Sequence, residues 1–113
     1  MRNFEELEVW KRSCRLALQI YEALKKCRDH GFYNQITRAA VSVPSNIAEG
    51  SERRTDREFI SFLYIAKGSV GELRTQLYLA AKLGYITSEQ MTVLAAEAKE
   101  ISKMLHGLIS SVS

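Results

Sequence analysis

Proline and glycine are scarce here: one Pro and six Gly in 113 residues. An all-β chain needs many tight turns, and tight turns draw on these two residues. A sandwich or barrel is thereby excluded. Cysteine is nearly absent too. Cys14 and Cys27 form no CxxC motif and have no zinc-ligand spacing with His30 or His106. If both lie on one helix, they stand roughly 20 Å apart, too far for a disulfide. Two reduced thiols point to a cytoplasmic chain. No apolar run approaches the ~20 residues of a membrane helix. The opening Met1-Arg2-Asn3-Phe4-Glu5-Glu6 has no apolar core, so it is not read as a secretory signal. Neither charge sign dominates. Sixteen Lys and Arg against thirteen Asp and Glu leave +3, which permits nucleic-acid binding without arguing for it.

What is present is a 3-4 spacing of apolar residues, repeated four times. Leu7, Trp10, Cys14, Ala17, Tyr21 and Leu24 make one seam, and Ile36, Ala40, Val43 and Ile47 a second. Phe59, Leu63, Ala66, Val70, Leu73, Leu77 and Ala80 make the third, and Met91, Leu94, Ala98, Ile101, Leu105 and Leu108 the fourth. One period in four seams predicts four amphipathic helices, near 4–29, 34–49, 56–83 and 88–110. Asn3 with Glu6, Thr55 with Glu58 and Thr87 with Gln90 read as N-terminal caps. Gly31, Gly50 and Gly84 read as C-terminal stops. Short connections make neighbouring helices antiparallel. The expected fold is all-α: a single up-down-up-down four-helix bundle over 1–113, its second helix kinked at Pro44.

The third helix is apolar beyond its seam, with Ile60, Tyr64 and Tyr78 on one flank and Phe62, Ile65 and Leu79 on the other. The first helix adds Val9, Leu16 and Ile20. Contiguous apolar surface of this extent marks an interface. A homo-oligomer is expected, with Val9, Leu16, Ile20, Ile60, Tyr64 and Tyr78 as contact residues. Gly68, Ser69 and Gly71 give the third helix a smooth stretch suited to close approach by another helix.

Catalytic chemistry finds little support. The paired Glu-x-x-His motifs of a di-iron bundle are absent, since Cys27 and Lys103 stand three residues before the two histidines. Each histidine is read as a residue near a helix end. No phosphate-binding glycine loop occurs. The expectation is a non-enzyme without cofactor or metal. A polar set at helical spacing remains: Arg38, Ser42, Ser45 and Glu49 on the second helix, with Asn46 beside the core position Ile47, and Ser69, Glu72 and Gln76 on the third. We read it as a partly buried layer that fixes helix register, with Arg38 bonded to Glu72 or Glu49. Glu49 and Glu72 as a catalytic pair are the weakest alternative. Lys99 and Lys103, then Lys25 and Lys26, are the candidate phosphate contacts.

The stretch from Gln35 to Gly50, with Ser-Val-Pro-Ser-Asn-Ile-Ala-Glu-Gly at its end, resembles the signature of a bacterial family. So do Leu63 to Leu77, Leu83-Gly-Tyr-Ile86 and the opening Phe4-Glu-Glu-Leu-Glu-Val-Trp10. The family is that of four-helix-bundle proteins encoded in intervening sequences of 23S ribosomal RNA genes. "Ribosomal" there reflects gene location. The resemblance implies a bundle assembling as a homopentameric ring, without enzymatic activity. It also points to accessory variability determinants of diversity-generating retroelements, relatives that bind nucleic acid and a reverse transcriptase. Two partner classes follow as expectations: RNA or DNA, and a nucleic-acid enzyme such as a reverse transcriptase. The alternative is an interaction protein with no nucleic-acid role. One departure stands out: Thr37 occupies a position where many members carry a second arginine beside the one matched by Arg38.

Overall fold

In α3, Asp56–Lys82, the predicted seam is buried along its whole length, from Phe59 at 2% exposure to Ala80 at 0%. The computed structural model describes residues 3–113, so Met1 and Arg2 of the N-terminal stretch lie outside the described residues. A 3-10 turn, Phe4–Glu6, precedes α1, Glu8–Ala23; α2 is His30–Ser51 and α4 is Ser88–Val112. Each helix packs on its neighbours in the chain, and α1 closes the square against α4. Four helices, with no strand among the described residues, make a four-helix bundle.

The caps explain most boundaries. At α4, Thr87 Oγ1 accepts from the Gln90 amide at 3.0 Å while Gln90 Oε1 accepts from the Thr87 amide at 2.8 Å, so two free backbone donors of the first turn are satisfied reciprocally. At α3 only half the box forms. Thr55 Oγ1 accepts from the Glu58 amide, but the Glu58 carboxylate takes the Thr55 hydroxyl. Asn3 caps the 3-10 turn rather than α1. Asp29 caps α2 by accepting from the Phe32 amide at 3.1 Å.

That cap moves two expected boundaries. The first helix stops at Ala23 and the second begins at His30. His30 therefore opens a helix instead of closing one, and Cys27 lies in the connection, off the helix that carries Cys14. Both cysteines are free. Of the three glycine stops, only Gly84 acts as one. Its φ is +79°, with bonds from the Gly84 amide to Ala81 and from the Tyr85 amide to Ala80, the Schellman pattern. Gly31 sits in the first turn of α2. Gly50 lies inside α2 against α3, where a Cβ would stand 2.5 Å from Phe62 Cβ. Pro44 is buried and does not end α2, which continues to Ser51.

The core takes the expected faces of α2, α3 and α4. On α1 the core face is rotated from the expected seam: Ala17 and Leu24 of that seam are buried, but Val9, Leu16 and Ile20 join them at 4%, 2% and 0% exposure, whereas Tyr21 is 40% exposed. Branched aliphatic side chains fill the interior, and the amphipathic Trp10 and Tyr21 take the rim toward α2. Val9, Leu16 and Ile20 therefore belong to the core of the single chain and are unavailable as oligomer contacts. Among the described residues, no helix is long and apolar enough to cross a membrane.

Candidate functional site

The polar layer exists, built from the uncharged members of the expected set. Ser42 Oγ of α2 meets Ser69 Oγ of α3 at 2.8 Å, and Asn46 Nδ2 donates to Ser42 Oγ at 2.9 Å and to the Ser42 carbonyl at 2.8 Å. Small hydroxyls at facing positions let α2 and α3 approach closely while keeping their polar atoms paired. One turn toward the Gly50 end, the missing side chain of Gly50 serves the same approach. Gln76 completes the strip toward the other end. It is 7% exposed, and its Oε1 has no hydrogen-bond partner.

The charged members lie outside this layer. Arg38 is exposed, and among the described residues no ion pair engages it. It lines a shallow depression with Tyr21, Asn34, Val41 and Ser42. Glu49 pairs with Arg53 on its own helix at 2.7 Å, and Glu72 is exposed. The expected Arg38–Glu72 or Arg38–Glu49 contact does not form. Positions 38, 45 and 49 are exposed, while 42 and 46 are partly buried toward α3; Glu49 shares the direction of Ser42 to within about 20° but lies two turns further along and pairs with Arg53 instead. Thr37 is buried, with its hydroxyl donating to the Tyr33 carbonyl at 2.7 Å. Neither Glu49 nor Glu72 sits in a water-excluded site.

The well-built ion pair joins two helices no motif linked. Arg12 of α1 donates from Nε and from a terminal nitrogen to the two carboxylate oxygens of Glu97 on α4, at 2.8 and 2.6 Å. The bond to Arg12 holds the Glu97 carboxyl below its ordinary value and raises Arg12. The pair crosses a groove of about 850 Å³ between α1 and α4, whose lining also holds Glu8, Arg15 and Glu100. Its charges nearly balance. Burial pushes the Cys14 thiol up, which makes it a poorer nucleophile. Among the described residues no group of His, Cys, Asp and Glu is placed to hold a metal ion.

The basic candidates separate into two classes. Lys25 is tied to Glu22 at 2.7 Å, beside Lys26 at the end of α1. Lys99 and Lys103 are exposed on α4, and among the described residues no carboxylate pairs with either. Of the expected interface residues, Ile60 is partly buried against the core, while Tyr64 and Tyr78 are 56% and 45% exposed. Ile65 and Leu79 on the outer side of α3 toward α2, about 21 Å apart, and Leu83 just past its end are 51%, 49% and 55% exposed. Gly68 and Gly71 meet no atom within 4 Å of a built Cβ. Of the smooth stretch, only Ser69 faces another helix of this chain.

No curated protein matches the chain. A crystal structure of a protein of unknown function from the S23 ribosomal protein family, from Bacteroides thetaiotaomicron VPI-5482, is similar. It matches with a TM-score of 0.83 at 28% identity, covering 90% of this chain and 95% of that one. The model of the family described as 23S rRNA-intervening sequence protein matches residues 5–107. With that match spanning nearly every residue of the bundle, the chain belongs to the 23S rRNA-intervening sequence protein family.

Proposed function

We propose that this protein is a non-enzymatic, homo-oligomeric scaffold that binds nucleic acid or a nucleic-acid enzyme. The observation that carries the reading is exposed apolar surface on one side of α3, Leu79 and Leu83 together at its C-terminal end and Ile65 about 21 Å nearer its start, each about half exposed. A single chain gains nothing from leaving these side chains in water, and a second copy covers them. Five is the subunit number that the family resemblance implies. A ring of five carries about +15 where one chain carries +3, and repeated basic patches release counterions together. The two free thiols fit the reducing cytoplasm.

The test is light scattering on the wild-type chain and on Ile65→Glu/Leu79→Glu, combined with gel shifts in a salt series. The expected result is an oligomer that binds strands and a monomeric variant that binds them far more weakly. A monomeric wild type overturns the assembly, and equal binding by both forms overturns its role in affinity.

A further inference from the structure

One flank of α3 carries a row at strict 3-4 spacing: Tyr64, Gly71 and Tyr78 are exposed, while Lys67 and Arg74 are half-buried with the Arg74 Nε shielded and without a hydrogen-bond partner. Ser69 points to α2, so this row lies on the opposite flank, toward α4, the other helix that α3 packs against. On α4, Glu97 faces α1, and Glu97 and Glu100 both line the α1–α4 groove. Lys99 therefore stands on the flank toward α3, with Lys103 one turn further on. Counted outward from Tyr85 in the connecting turn, Lys99 is level with Gly71 and Lys103 with Lys67.

We propose that this α3–α4 face binds single-stranded nucleic acid, with Lys67, Arg74, Lys99 and Lys103 on phosphates and Tyr64 and Tyr78 stacking on bases. The inference rests on the scaffold reading above and locates its binding site. Three observations support it. The charge is mainly of one sign: Glu72 lies about 120° round α3 from the centre of the row, Glu97 turns toward α1, Glu100 stands about 60° from Lys103 on the α1 side, and among the described residues none of the four cations has an ion-pair partner. The tyrosines are exposed beside cations on the same row and stand about 21 Å apart along the helix. A positive track with spaced aromatic rings is the arrangement that holds single strands, because every base has a face to stack. In a duplex those faces are hidden, and the rings would lack partners. The third is Gly71 in mid-row. Glycine inside a helix is unfavourable, and nothing in this chain approaches it. Its bareness leaves the helix surface open to a backbone lying across it.

The experiment is fluorescence polarisation of a labelled oligouridylate and of its duplex with oligoadenylate. The proteins are the intact wild type, Lys67→Gln/Arg74→Gln/Lys99→Gln/Lys103→Gln, and the control Lys11→Gln/Arg28→Gln, two exposed cations outside this face. The expected result is preference for the single strand. In the fourfold variant the slope of log affinity against log salt falls by about 3, while the control binds as wild type. Tyr64→Ala/Tyr78→Ala weakens the strand about tenfold or more and the two Phe variants restore it. Strand binding that survives the fourfold change overturns this site and leaves the scaffold reading standing. No binding of strand or duplex by wild type at low salt overturns both. Preference for the duplex, or tighter binding to phosphatidylserine vesicles than to the strand, overturns the ligand class. A fall in oligomer mass on changing the tyrosines makes the face an interface between copies and overturns it as a strand site.

Discussion

Tyr85 donates its hydroxyl to Asp29 Oδ2 at 2.6 Å, while Asp29 Oδ1 accepts from the Phe32 amide at 3.1 Å. One carboxylate thus caps α2 and ties the α1–α2 connection to the α3–α4 turn. Phe32 packs edge-on to the Tyr85 ring at 5.3 Å, closing the same corner from its apolar side. The Schellman turn at Gly84 sets the direction in which Tyr85 leaves α3.

This corner should respond to pH at both ends. The Tyr85 hydroxyl and the Phe32 amide hold Asp29 below the ordinary aspartate value, and Asp29 raises Tyr85. The carboxylate's contribution is present above about pH 3.9 and lost as pH falls through the lower folded value. The phenol's contribution is full below about pH 10 and lost as pH rises through its raised folded value. Tyr85→Phe should remove the alkaline loss and keep the ring contact. A pH series of melting curves reads both effects, and an unchanged alkaline limb in Tyr85→Phe would contradict the assignment.

The Arg12–Glu97 pair gives a second acid-sensitive contact. Glu97 is depressed by its bond to Arg12, so its contribution is full above about pH 4.3 and disappears as pH falls through the folded value. The side chains are 32% and 26% exposed, so the pair contributes about 1 kcal/mol despite its bidentate geometry. Glu97→Gln should lower the melting temperature by about 4 °C at pH 7 and by much less at pH 3. Equal shifts at the two pH values would show that packing, not charge, is lost.

These contacts mark the limit of what the sequence made legible. Three of the four helix faces and the four helices themselves follow from 3-4 spacing, because burial of an apolar stripe is a local periodic property. The α1 face is only partly legible because two stripes compete there, sharing Ala17 and Leu24. Spacing does not say that Val9, Leu16 and Ile20 exclude water better than Trp10 and Tyr21. The strip between α2 and α3 is half legible: helical spacing points to Ser42, Asn46, Ser69 and Gln76, whereas charge alone gives Arg38 a partner it does not have. Arg12–Glu97 and Asp29–Tyr85 join residues far apart in the chain, so no spacing rule finds them. Gly50 was read as a stop because a glycine after an apolar run fits one. Its contact with Phe62 exists only once α2 and α3 are side by side.

Gly50→Ala tests that contact. The new Cβ would lie 2.5 Å from Phe62 Cβ, 3.1 Å from Phe59 Cδ1 and 3.3 Å from the Phe59 carbonyl. Two of these atoms are fixed to the α3 backbone, so the helices must move apart. Overpacking of this kind costs about 2–3 kcal/mol. Gly71→Ala, where a Cβ meets nothing, should instead stabilise the isolated chain by up to about 1 kcal/mol through helix propensity. Urea melts of the two variants should move in opposite directions, and a stabilised Gly50→Ala would mean the α2–α3 spacing is wider than described.

The last prediction separates the two halves of the polar strip. Arg38 is exposed, and no ion pair among the described residues engages it, so Arg38→Ala should change stability by no more than about 0.5 kcal/mol. Asn46→Ala removes the donor to Ser42 Oγ and to the Ser42 carbonyl. The Ser42–Ser69 pair then loses the neighbour that fixes its orientation between α2 and α3. Loss of a partly buried hydrogen bond costs about 1 kcal/mol. The double variant Ser42→Ala/Ser69→Ala removes both hydroxyls together and should cost less than Ser42→Ala alone, because no buried hydroxyl is left without its partner. Chemical denaturation of the four variants orders them: Asn46→Ala well below wild type, Arg38→Ala indistinguishable from it, and the double serine variant above the single one. A strongly destabilised Arg38→Ala would return the charged residues to the layer and displace the Ser42–Ser69 contact as the feature that sets helix register.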